Sequence, residues 1–242
     1  MSKTSNLATF ALIGVGLIGY TVYNNVLPTR FDPVPPNWDA ISSWPPVEAA
    51  EVEAQPDPNR TYTAIVLDDS GSMGSDIIAA RAAVLEAVGF MEDDDWVSVI
   101  ALNRGTVLEF MSASDARQRL PDPLSRVAAS GSTPLARAIR TAREALAFEA
   151  AEAGGFGTFR VLVTTDGAAD DDEALLAEIE MLAGNTPIQL ATIGVGIGRG
   201  HVLNRDDIGT FVAIDDVSGL SAALQSAVAE QTSFAAITNF GG

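Results

Sequence analysis

Tyr62-Thr63-Ala64-Ile65-Val66-Leu67 runs without a break into Asp68-Asp69-Ser70-Gly71-Ser72-Met73-Gly74, and this stretch decides the fold of the 242-residue chain. The first six residues read as a strand buried on both faces, since nearly all are apolar or β-branched and a glycine-bearing polar loop closes them. Residues 77–90 follow with apolar side chains at helical spacing. Strands at 96–102 and 107–111 come next, joined by Asn103-Arg104-Gly105-Thr106, and so short a turn implies an antiparallel pair. Downstream, a helix over 135–153 is closed by Gly154-Gly155. Strands at 160–164, 188–195 and 210–214 then alternate with helices at 173–183 and 220–231. This alternation predicts an α/β fold: a doubly wound, mainly parallel central sheet with one antiparallel edge strand and helices on both faces.

In such folds ligands bind beyond the carboxyl ends of the strands, where the strand order reverses. The first strand ends in Asp68-Asp69-Ser70-Gly71-Ser72, and the strand at 160–164 ends in Thr165-Asp166-Gly167. Between them, Ser130-Gly131-Ser132-Thr133-Pro134 opens the long helix. Three loops thus bring Asp68, Ser70, Ser72, Thr133 and Asp166 to one edge of the sheet. Oxygen ligands alone, two carboxylates and three hydroxyls with room for water, suit a hard divalent cation: Mg²⁺, with Mn²⁺ or Ca²⁺ as alternatives.

The three pieces, in this order, resemble the von Willebrand factor A (VWA) family and its metal-ion-dependent adhesion site (MIDAS). The family pattern is Asp-x-Ser-x-Ser, then a Thr, then a Thr-Asp-Gly-type loop, matched here by Asp68-Asp69-Ser70-Gly71-Ser72, Thr133 and Thr165-Asp166-Gly167. The resemblance covers 61–233. It implies that Ser70, Ser72 and Thr133 are direct or near-direct ligands, while Asp68 and Asp166 act through water. It also implies that a partner protein completes the coordination with an Asp or Glu, shifting the 131–134 loop. Asp69 departs from the commoner choices at its position and is a candidate partner contact.

Ahead of the domain, residues 7–23 carry no charge and would span about 26 Å as a helix. They read as an uncleaved anchor, because Asn24-Asn25-Val26-Leu27-Pro28 offers no small-x-small cleavage site. Lys3 and the amino terminus precede the run, so the expected topology is amino terminus cytoplasmic, with the domain outside in the periplasm or extracellular space. The expected organisation is a short tail over 1–6, a transmembrane anchor over 7–27, a Pro-rich spacer over 28–60, the VWA domain over 61–233 and an apolar tail over 234–242. Trp38 and Trp44 lie in the spacer, where a purely solvated linker rarely carries them, so they are expected to pack on the domain or on a partner.

Composition narrows the function further. A net charge of −18 repels phosphate backbones, so no nucleic-acid partner is expected. No cysteine and a single histidine, His201, leave no thiolate chemistry or multi-His metal site. Lys3 is the sole lysine, so no P-loop exists, and Gly194–Gly200 offers no GxGxxG register; no nucleotide is expected. His201 reads as a surface loop residue, Asp93-Asp94-Asp95 as a solvated turn, and Asp170-Asp171-Asp172 as a helix cap. A metal-dependent hydrolase lacks a positioned base and a second metal, so the chain is not expected to be an enzyme. Two readings remain: a membrane-anchored, metal-dependent protein-binding module, or a structural subunit of a larger membrane complex in which metal only stabilises the loops.

Overall fold

The structure, a computed structural model, describes residues 33–46, 57–198, 201–205 and 207–229. The expected anchor over 7–27 and tail over 234–242 lie outside the described residues. Among the described residues no helix is long and apolar enough to cross a membrane.

A six-stranded sheet forms the centre, with β1 (Thr61–Leu67), β2 (Trp96–Ala101), β3 (Gly105–Ser112), β4 (Thr158–Thr165), β5 (Gln189–Val195) and β6 (Gly209–Ile214). Their spatial order is β3-β2-β1-β4-β5-β6. Every neighbouring pair is parallel except β2 with β3, which is the expected antiparallel edge. The order runs one way from β1 to β2 and the other way from β1 to β4, so the switch point lies between β1 and β4.

Both faces of β1 are buried, which explains its unbroken apolar run. Ile65 and Leu67 face one layer, where helix α2 (Ile77–Phe90) packs with α7 (Leu220–Ala229), while Ala64 and Val66 face α5 (Leu135–Glu152) and α6 (Asp172–Asn185). On α5, Leu135, Ala138, Ile139, Ala142 and Leu146 recur at helical spacing and make one buried stripe. The helix stops at Gly154 (φ +63°), where the Gly155 N–H donates to the Ala150 carbonyl at 2.7 Å, as a left-handed C-terminal cap requires. Helix α6 is capped by Asp171, whose carboxylate accepts the Ala174 N–H at 2.9 Å. The expected helix cap is therefore present.

The described part of the expected spacer does not run free. Val34 donates its N–H to Asp207 at 2.9 Å, and Asn37 donates its N–H to the Gly184 carbonyl at 2.7 Å. Between them and Trp44 lies a short helix, α1 (Trp38–Ser42). The Trp44 ring meets Phe159 edge-on, centroids 5.0 Å apart, and packs into the α5–α6 layer. Packing of the partly buried Trp44 ring and the hydrogen bonds of Val34 and Asn37 hold the proline-rich segment on the domain, so the part of the expected spacer from 34 to 46 is not a free linker: from Val34 onward the described residues belong to the domain's own unit. Trp44 thus packs on the domain, the first of the two expected alternatives. Trp38 is 70% exposed. Two further short helices, α3 (Ala113–Arg119) and α4 (Pro121–Ser125), fill the connection after β3.

Candidate metal centre

Asp68 is the first residue past β1 and Asp166 the first past β4, so adjacent parallel strands deliver both carboxylates to the switch point. Asp68 is fully buried, and protein donors hold both its oxygens. Oδ1 accepts the Ser70 N–H at 2.8 Å; Oδ2 accepts the Thr165 hydroxyl at 2.8 Å and the Asp166 N–H at 3.3 Å. One carboxylate thus ties the loop after β1 to the loop after β4. The side chains of Ser70 and Ser72 lie 3.0 Å apart, and the Ser72 hydroxyl donates to Asp166 Oδ1 at 2.8 Å. Asp68, Ser70, Ser72 and Asp166 therefore form one continuous polar cluster. Gly74 (φ +45°) kinks the 3-10 turns of Gly71–Asp76 that connect it to α2.

Thr133 comes from the third loop and is held by its backbone. Its N–H donates to Asp170 Oδ1 at 2.8 Å, and its carbonyl accepts the Asp170 N–H at 3.1 Å. Among the described residues no hydrogen bond engages its hydroxyl. The 130–133 loop is pinned to the first loop as well, with the Gly71 N–H donating to the Gly131 carbonyl at 3.1 Å. All three loops thus meet at the edge where the sequence placed them.

The electrostatics suit a cation. The Asp166 carboxyl is pushed up from its ordinary value, mainly by burial, with hydrogen bonding from Ser72 opposing and the neighbouring charge of Asp68 adding to the rise. Asp170 is held below the usual carboxylate range by the Ser132 hydroxyl and the Thr133 N–H. Among the described residues no three His, Cys, Asp or Glu side chains gather as a metal group, so a cation here depends on hydroxyl donors beside two carboxylates. That donor set is all oxygen, which fits a hard divalent ion and does not suit a thiophilic one.

Two residues lie elsewhere than expected. Asp69 is buried at 2% exposure and accepts the Asn103 N–H at 2.7 Å, so it neither faces solvent nor presents itself to a partner. His201 is half-buried, not a free surface residue. Its Nε2 lies 3.1 Å from the Gly167 carbonyl and its ring stacks on Phe211, centroids 6.4 Å apart. Burial lowers its pKa, with the Gly167 bond opposing. Sequence reasoning also missed Asn103, Thr165 and Asp170 as the residues that brace the loops. Thr165 stands inside the quoted motif, but nothing local signals the bonds of Asn103 or Asp170, which join loops 29 to 37 residues apart.

Residues 63–169 match the family model described as von Willebrand factor type A domain. Among solved structures, the chain resembles a von Willebrand factor type A protein from Catenulispora acidiphila (20% identity, TM-score 0.59), covering 72% of this chain and 43% of that one. It resembles the manganese-loaded TRAP protein of Plasmodium vivax (15% identity, TM-score 0.52), covering 71% of this chain and 74% of that one. A third neighbour is proximal thread matrix protein 1 of the mussel byssus, with zinc in its MIDAS motif (19% identity, TM-score 0.57), covering 73% of this chain and 49% of that one. The chain thus spans less than half the length of the Catenulispora protein. No curated protein matches it. The family match covers residues 63–169, and these neighbours share the fold of a mostly parallel, Rossmann-like sheet.

Proposed function

We propose that this chain is a metal-dependent protein-binding module whose site is formed by Asp68, Ser70, Ser72, Thr133 and Asp166. The observation that carries the reading is the meeting of three loops at the β1/β4 switch point, with two carboxylates and their serine hydroxyls in one hydrogen-bonded cluster. Metal in the MIDAS motif of the mussel protein and manganese in the TRAP protein support the same kind of occupant here. Mg²⁺ is the proposed native ion, with Mn²⁺ or Ca²⁺ as substitutes. A divalent cation held by these residues would offer an open coordination position to an Asp or Glu of a partner protein.

The chain's own residues determine how that position is used. Asp68, saturated by Ser70, Thr165 and Asp166, orients the loops and adds negative charge from behind. Ser72 and Asp166 are the more exposed members and face the approaching partner. We assign binding to this cluster, because its oxygens converge on one point at the sheet edge as a cation site requires. We further propose that residues 7–27 anchor the chain in a membrane, with the domain on the non-cytoplasmic side.

A carboxylate probe tests the reading. In the Mn²⁺-loaded full chain, an Asp-containing tripeptide should displace coordinated water and lower the water proton relaxation rate, with no such change in Asp68→Ala. Relaxation indifferent to the peptide at saturating concentration would count against a carboxylate partner. The exposure of Trp38 favours a second reading, a structural subunit whose contacts need no metal. Co-purification of a partner in fixed ratio through EDTA would select it.

A further inference from the structure

We propose that Asn103 and Asp69 are a positioning pair that holds the 130–133 loop against the Ser70–Ser72 loop and so sets the affinity of the cation site; this rests on the metal-binding reading above. Asp69 lies between two site residues in sequence yet turns away from them. Its buried Oδ1 accepts two bonds from one residue, the Asn103 N–H at 2.7 Å and the Asn103 Nδ2 at 3.2 Å. A buried carboxylate without a counter-cation is costly, so its hydrogen bonds must be complete. The same Nδ2 also donates to the Ser132 carbonyl at 2.8 Å, one residue before Thr133. Asp69 reciprocates through its backbone, its carbonyl accepting the Ser130 N–H at 2.8 Å.

The fit is close on the far side too. Gly131 has φ +77°, and a Cβ there would meet the Asn103 amide, with Cγ 2.7 Å away. Asn103 itself sits on the β2–β3 turn, which carries no candidate ligand. A side-chain amide is needed because one NH₂ group must serve both a carboxylate and a carbonyl. An aspartate there would set oxygen against two oxygens. The pair therefore acts on the cation through Thr133 and Ser70 and touches no ligand itself.

The test compares Mn²⁺ affinity, followed by electron paramagnetic resonance, in the full chain and in Asn103→Ala, Asn103→Ser and Asp69→Asn, beside their metal-free thermal midpoints. Loss of an outer-shell partner commonly costs ten- to a hundredfold in metal affinity, so both Asn103 variants should bind Mn²⁺ at least about tenfold more weakly. Asp69→Asn keeps the Oδ1 acceptor and should stay within about threefold of wild type. The metal-free midpoints of the Asn103 variants should fall by roughly 2–10 °C while a single cooperative transition remains, so that the affinity loss is read on a folded chain. If Asn103→Ala does not fold, Asn103→Ser carries the comparison. Asn103 variants that bind as tightly as wild type would overturn the positioning role while leaving the metal site standing. A wild-type chain that binds no Mn²⁺ would overturn the metal reading, and the inference with it.

Discussion

Asp68 and Asp69 are neighbours with opposite duties. Past the end of β1 the loop turns Asp68 toward β4 and Asp69 toward the β2–β3 turn. A sequence reader sees the motif Asp-x-Ser-x-Ser and its convergence with Thr133 and Asp166. What Asp69 bonds to cannot be seen, because Asn103 is 34 residues away. For the same reason His201 passed as a surface residue: its partners, Gly167 and Phe211, come from the loop after β4 and from β6. At this scale Thr133→Ala should weaken Mg²⁺ binding by about tenfold or more while the far-ultraviolet spectrum stays unchanged. An unaltered affinity would remove Thr133 from the ligand set.

Glu149 supplies a pH test at the same scale. Its carboxyl is pushed up from 4.5 to about 7, chiefly by burial, with the charges of Glu152 and Glu109 adding. A raised folded-state value means that the favourable state is the protonated one. Its contribution is therefore full below 4.5 and is lost as pH rises through about 7. Glu149→Gln should accordingly exceed wild type in stability by ~1 kcal/mol at pH 8, discounted for partial solvent screening, and equal it at pH 4. Denaturant melts at the two pH values read this directly; curves offset equally at both would refute it.

Among elements, long periodic segments and strands with unbroken apolar runs were legible in the sequence; α2 and β1 fall where the pattern put them. The short helices α1, α3 and α4 were not, since five to seven residues are too few to show a helical period. The docking of residues 34–46 depends on Gly184, Asn185 and Asp207, far along the chain, and so leaves no local trace beyond its tryptophans. Helices α5 and α6 are joined by an ion pair that also escapes sequence reading: buried Glu178 meets Arg140 at 3.0 Å and Arg143 at 2.6 Å. Glu178→Ala should cost about 2 kcal/mol in a urea melt, modest for a buried pair because Arg140 is half exposed and can return to water. The Asp171→Ala variant, losing the α6 cap, should cost ~1 kcal/mol. A neutral outcome for Glu178→Ala would show that α5 and α6 are held by their apolar seam alone.

For the whole molecule, the doubly wound sheet explains why one edge gathers so many oxygens. Parallel strands all end on the same side, and reversal of strand order between β1 and β4 opens the crevice into which Asp68 and Asp166 emerge. Binding to the folded state alone must stabilise it: at a hundredfold excess over Kd, a cation adds about 2.7 kcal/mol. For a domain of this size that raises the thermal midpoint by roughly 5–10 °C, reversed by EDTA. The most direct measurement is calorimetric titration of Mg²⁺ and Mn²⁺ into the full chain and into Asp68→Ala. One cation per chain, bound by the wild type and lost in the folded variant, is the predicted result. Equal binding by both, or none by the wild type, would contradict a metal centre at this edge.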